Sequence, residues 1–469
     1  MAITSKVLPV FIEKETNIDR PAEEVFQYVK DFSQIYEWDN QVVEAQRLDL
    51  APIKEGSKFK IVYSFMGVTQ DLIYNIETIG SSADHHYLQL SARAKMFSAT
   101  DRIEVHSVTE DSCRLVYSAD IKFTISQTEP FVRVYMERVG NVLMKRLRIA
   151  LEKANECEPP QKYLNPLSVP FWFTRKGWNQ RRKGFKATLS CPRKILITGP
   201  TSGLGRSITT TLAAKGCSFV LVARSSSKLE QLKADLYNLG FEGTLKSYVC
   251  DMADLKTVVA TCNKIIDDDQ VPDVLINNAA ALYAKPLEID GVERTTVVDL
   301  IAPWLIAQKL SPQMLAGSCI INVTSGGMYA AGLDITELKR ARKPFSGSRA
   351  YALAKRGLDV MSWGLNEKLK EAGIRVHSMH PGWADTPGVV DSLPGFHKVT
   401  KRWLRNPFQG SDTIVWLAMN NPEQGGEFWL DRVRQSRYLM PAGGRSMPDD
   451  YLRLSNFLGQ FSGPVASHC

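Results

Sequence analysis

The stretch KILITGPTSGLGRSITTTLAAKG, residues 194–216, decides how the C-terminal part of this chain folds. An apolar run too short for a helix ends in a glycine-rich turn, and a helical pattern follows at once, as in a strand–turn–helix unit. The unit repeats downstream. SFVLVAR (218–224) and LKSYVCD (245–251) read as strands, SSKLEQLKADLYNLG (226–240) and LKTVVATCNKIID (255–267) as helices, and VPDVLINNAA (271–280) as a further strand. Strict alternation of this kind predicts a parallel sheet with helices on both faces, and in such sheets ligands bind beyond the carboxyl ends of the strands. The turn TGPTSGLG places Gly199, Thr201, Ser202, Gly203, Leu204 and Gly205 there. Glycine lets backbone approach a pyrophosphate, and the following helix turns its N–H groups toward the anion. Dinucleotide folds selective for NAD usually carry an acid at the end of the second strand. This chain has Arg224, which suits a 2′-phosphate and favours NADP(H), with NAD(H) the alternative. Arg206 reads either as a second phosphate ligand or as a solvated helix residue.

A second signal lies in YALAK, Tyr351–Lys355. Four residues apart on a helix, a phenol and an ammonium share one face, and a nearby cation favours the phenolate. Alone the pair is weak evidence. In order along the chain stand TGxxxGxG (198–205), NNAA (277–280), INVTS ending at Ser325, YxxxK (351–355) and PGWADT (381–386). Together these motifs resemble the short-chain dehydrogenase/reductase superfamily over residues 190 to about 430. HSMHPGWADTPGV, LPGFH, GSDTIVWLA and a long gap between serine and tyrosine point to one branch of it. The resemblance implies a Rossmann-like doubly wound parallel sheet and hydride transfer between a nicotinamide and an alcohol or carbonyl carbon. It assigns Tyr351 as acid/base, Lys355 as the group lowering its pKa and holding the nicotinamide ribose, and Ser325 as the support of the substrate oxygen. It further implies adenine contacts from Asp251 and Met252, cofactor contacts from Asn278, Ala279 and Ala280, and a carboxamide-end loop of Pro381, Gly382, Trp383 and Thr386. Two departures stand out. Ala280 replaces a glycine, and Asp299 occupies the place of the asparagine that completes the family's proton relay. Beyond residue 430 a final amphipathic helix is expected, of the sort that often closes the substrate site in this family.

Residues 7–125 alternate apolar and polar in short runs such as SKFKIVYSF, QDLIYNIETI, DRIEVHSV and CRLVYSADIKF, the pattern of antiparallel strands with one buried face. DRPAEEVFQYVKDF reads as a short helix. EPFVRVYMERVGNVLMKRLRIALEKA reads as a long one with Val132, Met136, Val139, Leu143, Leu147 and Ala150 on one side. With the opening IDRPAEEVFQYVKDFSQIYEWDNQVVEA, this order resembles the helix-grip fold of START/Bet v1-like polyketide cyclases and lipid-transport proteins, over about residues 5–155. The resemblance implies an apolar cavity for a lipid-like or polyketide-like molecule. His85, His86 and His106 fall on strand-like runs and are read as structural or exposed, and no metal ligands are nominated.

Between these parts lies PPQKYLNPLSVPFWFTRKGWNQRRKGFK. Residues 159–189 hold seven Lys or Arg and no acid, within a chain of net charge +8. Aromatics beside cations suit either docking on a neighbouring domain or an anionic membrane surface, here at residues 171–186. No nucleic-acid fold signature accompanies them. At 469 residues several domains are required. We expect a helix-grip domain at 1–156, a basic aromatic linker at 157–189 and a dehydrogenase domain at 190–469, multidomain α+β and α/β. Eight irregularly spaced cysteines without C-x-x-C, no signal peptide and no long apolar run predict a cytoplasmic protein, peripheral to a membrane at most. A homo-oligomer fits the family. The expected activity is NADP(H)-dependent oxidoreduction of a hydrophobic substrate. The alternative is a lipid-binding or transfer protein whose second domain binds nucleotide without turnover.

Overall fold

The computed structural model describes residues 8–65, 68–94, 97–123, 129–153, 168–189, 192–340, 343–439 and 447–461. They divide into two compact units. One comprises residues 1–156 with 179–190 and 239–242, the other the remainder. The predicted linker is therefore shared between the two units.

In the first unit seven antiparallel strands, β1 (Leu8–Ile18), β2 (Val42–Arg47), β3 (Lys58–Phe65), β4 (Val68–Ser81), β5 (His85–Arg93), β6 (Phe97–Thr109) and β7 (Ser112–Phe123), form one sheet in the order β1-β7-β6-β5-β4-β3-β2. Alternation sets the burial. In β6, Ala99, Asp101, Ile103 and Val105 face inward while Thr100 and Arg102 face water. The helix Glu129–Glu152 buries Leu143, Met144, Leu147, Ala150 and Leu151. Val132 of the predicted apolar face lies outside the residues whose side chains are described. A polar cluster sits inside. Asp101 accepts from the Tyr117 hydroxyl at 2.8 Å, and burial pushes its carboxyl up to about 6 against the lowering influence of Tyr117 and Tyr74. Both amide atoms of the nearly fully buried Gln34 lack a hydrogen-bond partner.

The basic aromatic segment is mostly docked. Phe173 and Trp178 are buried in the second unit and Phe185 in the first. Arg182, expected in water, is buried in the first unit and donates to the carbonyls of Tyr36, Asp39 and Asn40. Three carbonyls in one place offset the cost of removing a guanidinium from water. Phe171, Arg175, Lys176 and Lys183 remain exposed.

The second unit is built on β8 (Lys194–Thr198), β9 (Ser218–Ala223), β10 (Leu245–Val249), β11 (Val274–Asn277), β14 (Cys319–Val323), β15 (Arg375–Met379), β16 (Phe428–Leu430) and β17 (Val433–Gln435). A two-stranded hairpin, β12 (Glu288–Ile289) with β13 (Val292–Glu293), stands apart from this sheet. The order is β10-β9-β8-β11-β14-β15-β16-β17, parallel except for the last strand. Chain order reverses at β8, so a crevice opens at its carboxyl end. β8, β11 and β14 are buried almost throughout, as expected of strands covered on both faces. No helix among the described residues is long and apolar enough to cross a membrane.

Candidate active site

The crevice is a cleft of about 730 Å³, within the range of small-molecule sites. It is walled by the turn after β8 and by the ends of β9, β10, β11, β14 and β15. The turn is shaped by its glycines. Gly199 has φ +67°, and a Cβ on Gly205 would stand 2.0 Å from the Gly199 carbonyl oxygen. Only glycine fits so close an approach. Asn278 fastens the turn from the next strand, donating its amide to the carbonyls of Thr198 and Gly199 at 3.0 and 3.1 Å. The helix Gly203–Ala214 starts at the cleft, and its N-cap Ser202 makes no side-chain cap.

The side chains expected to hold a dinucleotide all border this cleft. They are Gly199, Thr201, Ser202, Gly203, Leu204 and Gly205 in the turn, Arg224, Asp251 and Met252 beyond β9 and β10, Asn278, Ala279 and Ala280 after β11, and Pro381, Gly382, Trp383 and Thr386 after β15. Ser325, Tyr351 and Lys355 border it too, whereas Asp299 stands behind it. Arg206 does not line the cleft but pairs with Asp235 at 2.7 Å on the surface. Lys228, which sequence reasoning missed, joins Arg224 at the cleft wall.

The helix Gly347–Leu369 presents Tyr351 and Lys355 on one face, as their spacing requires. Ser325 stands near the Tyr351 hydroxyl on the cleft and acts to lower its pKa. Ser325 in turn accepts from the Gly327 N–H at 3.2 Å. Lys355 is almost fully buried. Its Nζ donates to the Val323 carbonyl at 3.0 Å, lies 5.5 Å from the centre of the Tyr351 ring and 3.9 Å from Asp299 Oδ2. The expected acidification of Tyr351 is not what this arrangement gives. Burial and then the Asp299 charge raise the phenol above its ordinary value, and the Ser325 hydroxyl opposes them. Burial also lowers Lys355 against the pull of Asp299, and pushes Asp299 up to about 6 against Lys355 and the Ala281 N–H. Both partners thus shift toward neutrality, so desolvation outweighs their mutual attraction.

Asp299 lies on a π-helical turn, Val297–Ile301, a distortion often found at functional sites. Its Oδ1 accepts from Ala281 N at 2.8 Å, while Oδ2 has no hydrogen-bond partner. The carboxylate therefore braces the strand end after NNAA.

Two buried groups had no signal in the sequence. His380 accepts at Nδ1 from Gly326 N–H at 3.1 Å, and burial, then Arg405, lower its pKa to about 3. A neutral ring accepting at Nδ1 carries its proton on Nε2. Arg405 pairs in bidentate fashion with the buried Asp431 and donates to the carbonyls of Pro381, Trp172 and Phe173. It clasps the 381–383 loop from below. A Cβ on Gly382 would meet Arg405 Nε at 2.2 Å, and Gly382 has φ +75°. The final helix Met447–Leu458 does not close the cleft. Leu454, Phe457 and Leu458 are buried in the domain core, and Tyr451 lies edge-on to Trp363 of the long helix. Leu282, Tyr283, Leu393 and Phe396 give the cleft its apolar margin instead.

Residues 193–394 match the short chain dehydrogenase family and residues 10–152 the family described as polyketide cyclase / dehydrase and lipid transport. Dehydrogenase/reductase SDR family member 12 from Homo sapiens is 30% identical over 302 residues, spanning 62% of this chain and 94% of that protein. Its Bos taurus counterpart shows the same figures. Retinol dehydrogenase 13 from Mus musculus is 27% identical over 273 residues, 56% of this chain and 79% of that one. A glycine turn, a Ser–Tyr–Lys group on one crevice and these matches make the chain a member of the short-chain dehydrogenase/reductases, with a polyketide cyclase and lipid-transport domain at its N-terminal side.

Proposed function

We propose that the chain is an NADP(H)-dependent oxidoreductase that interconverts an alcohol and a carbonyl on a hydrophobic substrate, and that its N-terminal domain binds a related lipid-like or polyketide-like molecule. The observation that carries the reading is that Ser325, Tyr351 and Lys355 border the same cleft as the glycine turn. Gly205 lets the start of the helix Gly203–Ala214 pack against the Gly199 carbonyl in a tight turn, and the open N-terminus of that helix suits the charge of a pyrophosphate. Arg224 and Lys228 on one wall suit a 2′-phosphate. Bound there, a nicotinamide supplies or accepts the hydride.

The protein's own part is proton handling and positioning. Tyr351 gives its proton to the substrate oxygen in reduction and takes it back in oxidation. Ser325 holds that oxygen through its hydroxyl. Lys355, buried beside the ring, favours the phenolate that remains after the proton leaves. Trp383, Leu393 and Phe396 offer apolar surface and exclude water.

Thermal unfolding with each dinucleotide tests the reading. NADPH is expected to raise the melting temperature more than NADH, and Arg224→Ala to weaken NADPH about ten- to hundredfold, the usual range for a charge-assisted bond. No protection by either nucleotide would remove the basis of the proposal. A second reading, nucleotide binding without turnover, is favoured by one observation. Asp299 and burial make Tyr351 a weaker acid than usual while the Lys355 ammonium is engaged by a backbone carbonyl. NADPH protection without oxidation of NADPH by any apolar aldehyde or ketone would support that reading over the first.

A further inference from the structure

The outward face of the first unit's sheet carries three side chains that the proposed redox chemistry does not use. His85 on β5 stands directly across the ladder from His106 on β6. Glu104, two residues before His106, shares its face by the two-residue period of a strand. One ligand atom from each of the three lies within 4.8 Å of the other two. The imidazole rings are stacked, centres 4.5 Å apart and 9° from parallel. His106 Nε2 is 3.4 Å from Glu104 Oε2, and His85 Nε2 is buried without a hydrogen-bond partner.

A polar nitrogen withdrawn from water and left unpaired is costly, and a stacked pair of imidazoles does nothing to satisfy it. A cation bound in the ring plane by the nitrogen's lone pair would. We propose that His85, Glu104 and His106 form a binding site for a divalent transition metal, with zinc the ion whose preferences they fit best. Two imidazoles and one carboxylate are a known zinc ligand set, which leaves a fourth position for water. Magnesium and calcium prefer oxygen and are poorly served by a set that is mostly nitrogen. The scaffold is stiff. The inward neighbours His86, Ile103 and Val105 are buried, so the two strands present the ligands with little backbone freedom.

One group competes. Arg102 donates to Glu104 Oε1 at 2.5 Å, and its guanidinium lies 5.9 Å from the centre of the Tyr87 ring, which itself stacks on His85. Arg102 is about half exposed, free to swing into solvent when Glu104 turns to a metal. Its positive charge weakens the site while it stays.

Full-length protein, stripped with a chelator and titrated with Zn²⁺ alone by calorimetry, should bind one equivalent saturably. His85→Gln and His106→Gln should each weaken that event at least about tenfold, and Arg102→Ala should tighten it. Co²⁺ in place of Zn²⁺ should give the intense visible bands of a four-coordinate ion, without a thiolate charge-transfer band. The absence of a saturable equivalent overturns the proposal, as does equal binding by the double His85→Gln, His106→Gln protein. Should a histidine variant fail to fold, Arg102→Ala and the Co²⁺ spectrum decide. Unchanged or weaker binding in the former, or a six-coordinate or thiolate spectrum in the latter, overturns the site.

Discussion

Each unit of this protein buries an aspartate in its interior, Asp101 in the first and Asp299 in the second, and the two are held differently. Asp101, in the grip of the antiparallel sheet, is met by neutral tyrosines, Tyr117 and Tyr74. Asp299, behind the Rossmann cleft, is met by one backbone N–H and an ammonium 3.9 Å away. Burial pushes both carboxyls up to about 6 despite these partners. The partner's charge, not the degree of burial, separates their consequences. Protonating Asp101 leaves a neutral polar cluster in an apolar interior. Protonating Asp299 removes a charge that supports the Lys355 ammonium and one of the two influences that raise Tyr351. The first aspartate bears on stability, the second on chemistry.

The contrast can be tested at four points. Tyr351→Phe should lower turnover by about 10²–10⁴-fold while NADPH still protects against unfolding, since only a transferable proton is lost. Turnover within tenfold of the parent would place the chemistry elsewhere. Gly205→Ala should abolish NADPH protection and cost about 1–3 kcal/mol in denaturant unfolding, because the new methyl meets a backbone oxygen that cannot move aside. Asp299→Asn restores the family's usual residue and removes a charge that raises Tyr351. The pH–rate profile in the oxidation direction should move to lower pH, with kcat/KM changing less than about tenfold.

Asp101→Asn should leave turnover alone and act on stability. An ordinary carboxyl titrates near ~4, while folded Asp101 keeps its proton up to about 6. The folded state therefore binds more protons between these values, and stability falls as pH rises through them. The asparagine protein should lose that fall and be about 1–3 kcal/mol more stable at pH 7 than the parent, with little difference at pH 4. Melting temperatures at both pH values measure it. Equal pH slopes would mean that Asp101 titrates normally.

The two units also differ in how far their sequences disclosed them. LKTVVATCNKIID was read as a helix and is the helix Leu255–Asp267, because Asp254 caps it by accepting from Lys256 and Thr257 N–H groups. Spaced motifs led to one cleft because four of them stand at the ends of neighbouring parallel strands and YxxxK lies on the helix Gly347–Leu369 that borders the same cleft. In the first unit, alternation disclosed strands but not Asp101, since a polar residue at an inward position leaves no periodic trace. His380 and Arg405 were missed for a related reason. Their partners are separated from them by long stretches of chain, and no spacing encodes that. Lys355 was read from its spacing, but not its Val323 carbonyl partner, and the final helix was read as amphipathic but its apolar face serves the core instead of the cleft. Arg182 in the basic segment looked like a solvated charge until three distant carbonyls surrounded it.

Asn278 gives both amide hydrogens to the carbonyls of Thr198 and Gly199, and so turns those oxygens away from any anion approaching the glycine loop. Slow hydrolytic deamidation at this one position would replace a donor with a negative oxygen facing two carbonyl dipoles. The loop would be pushed open from behind, and an aged molecule would lose its grip on phosphate while every residue in front remained intact.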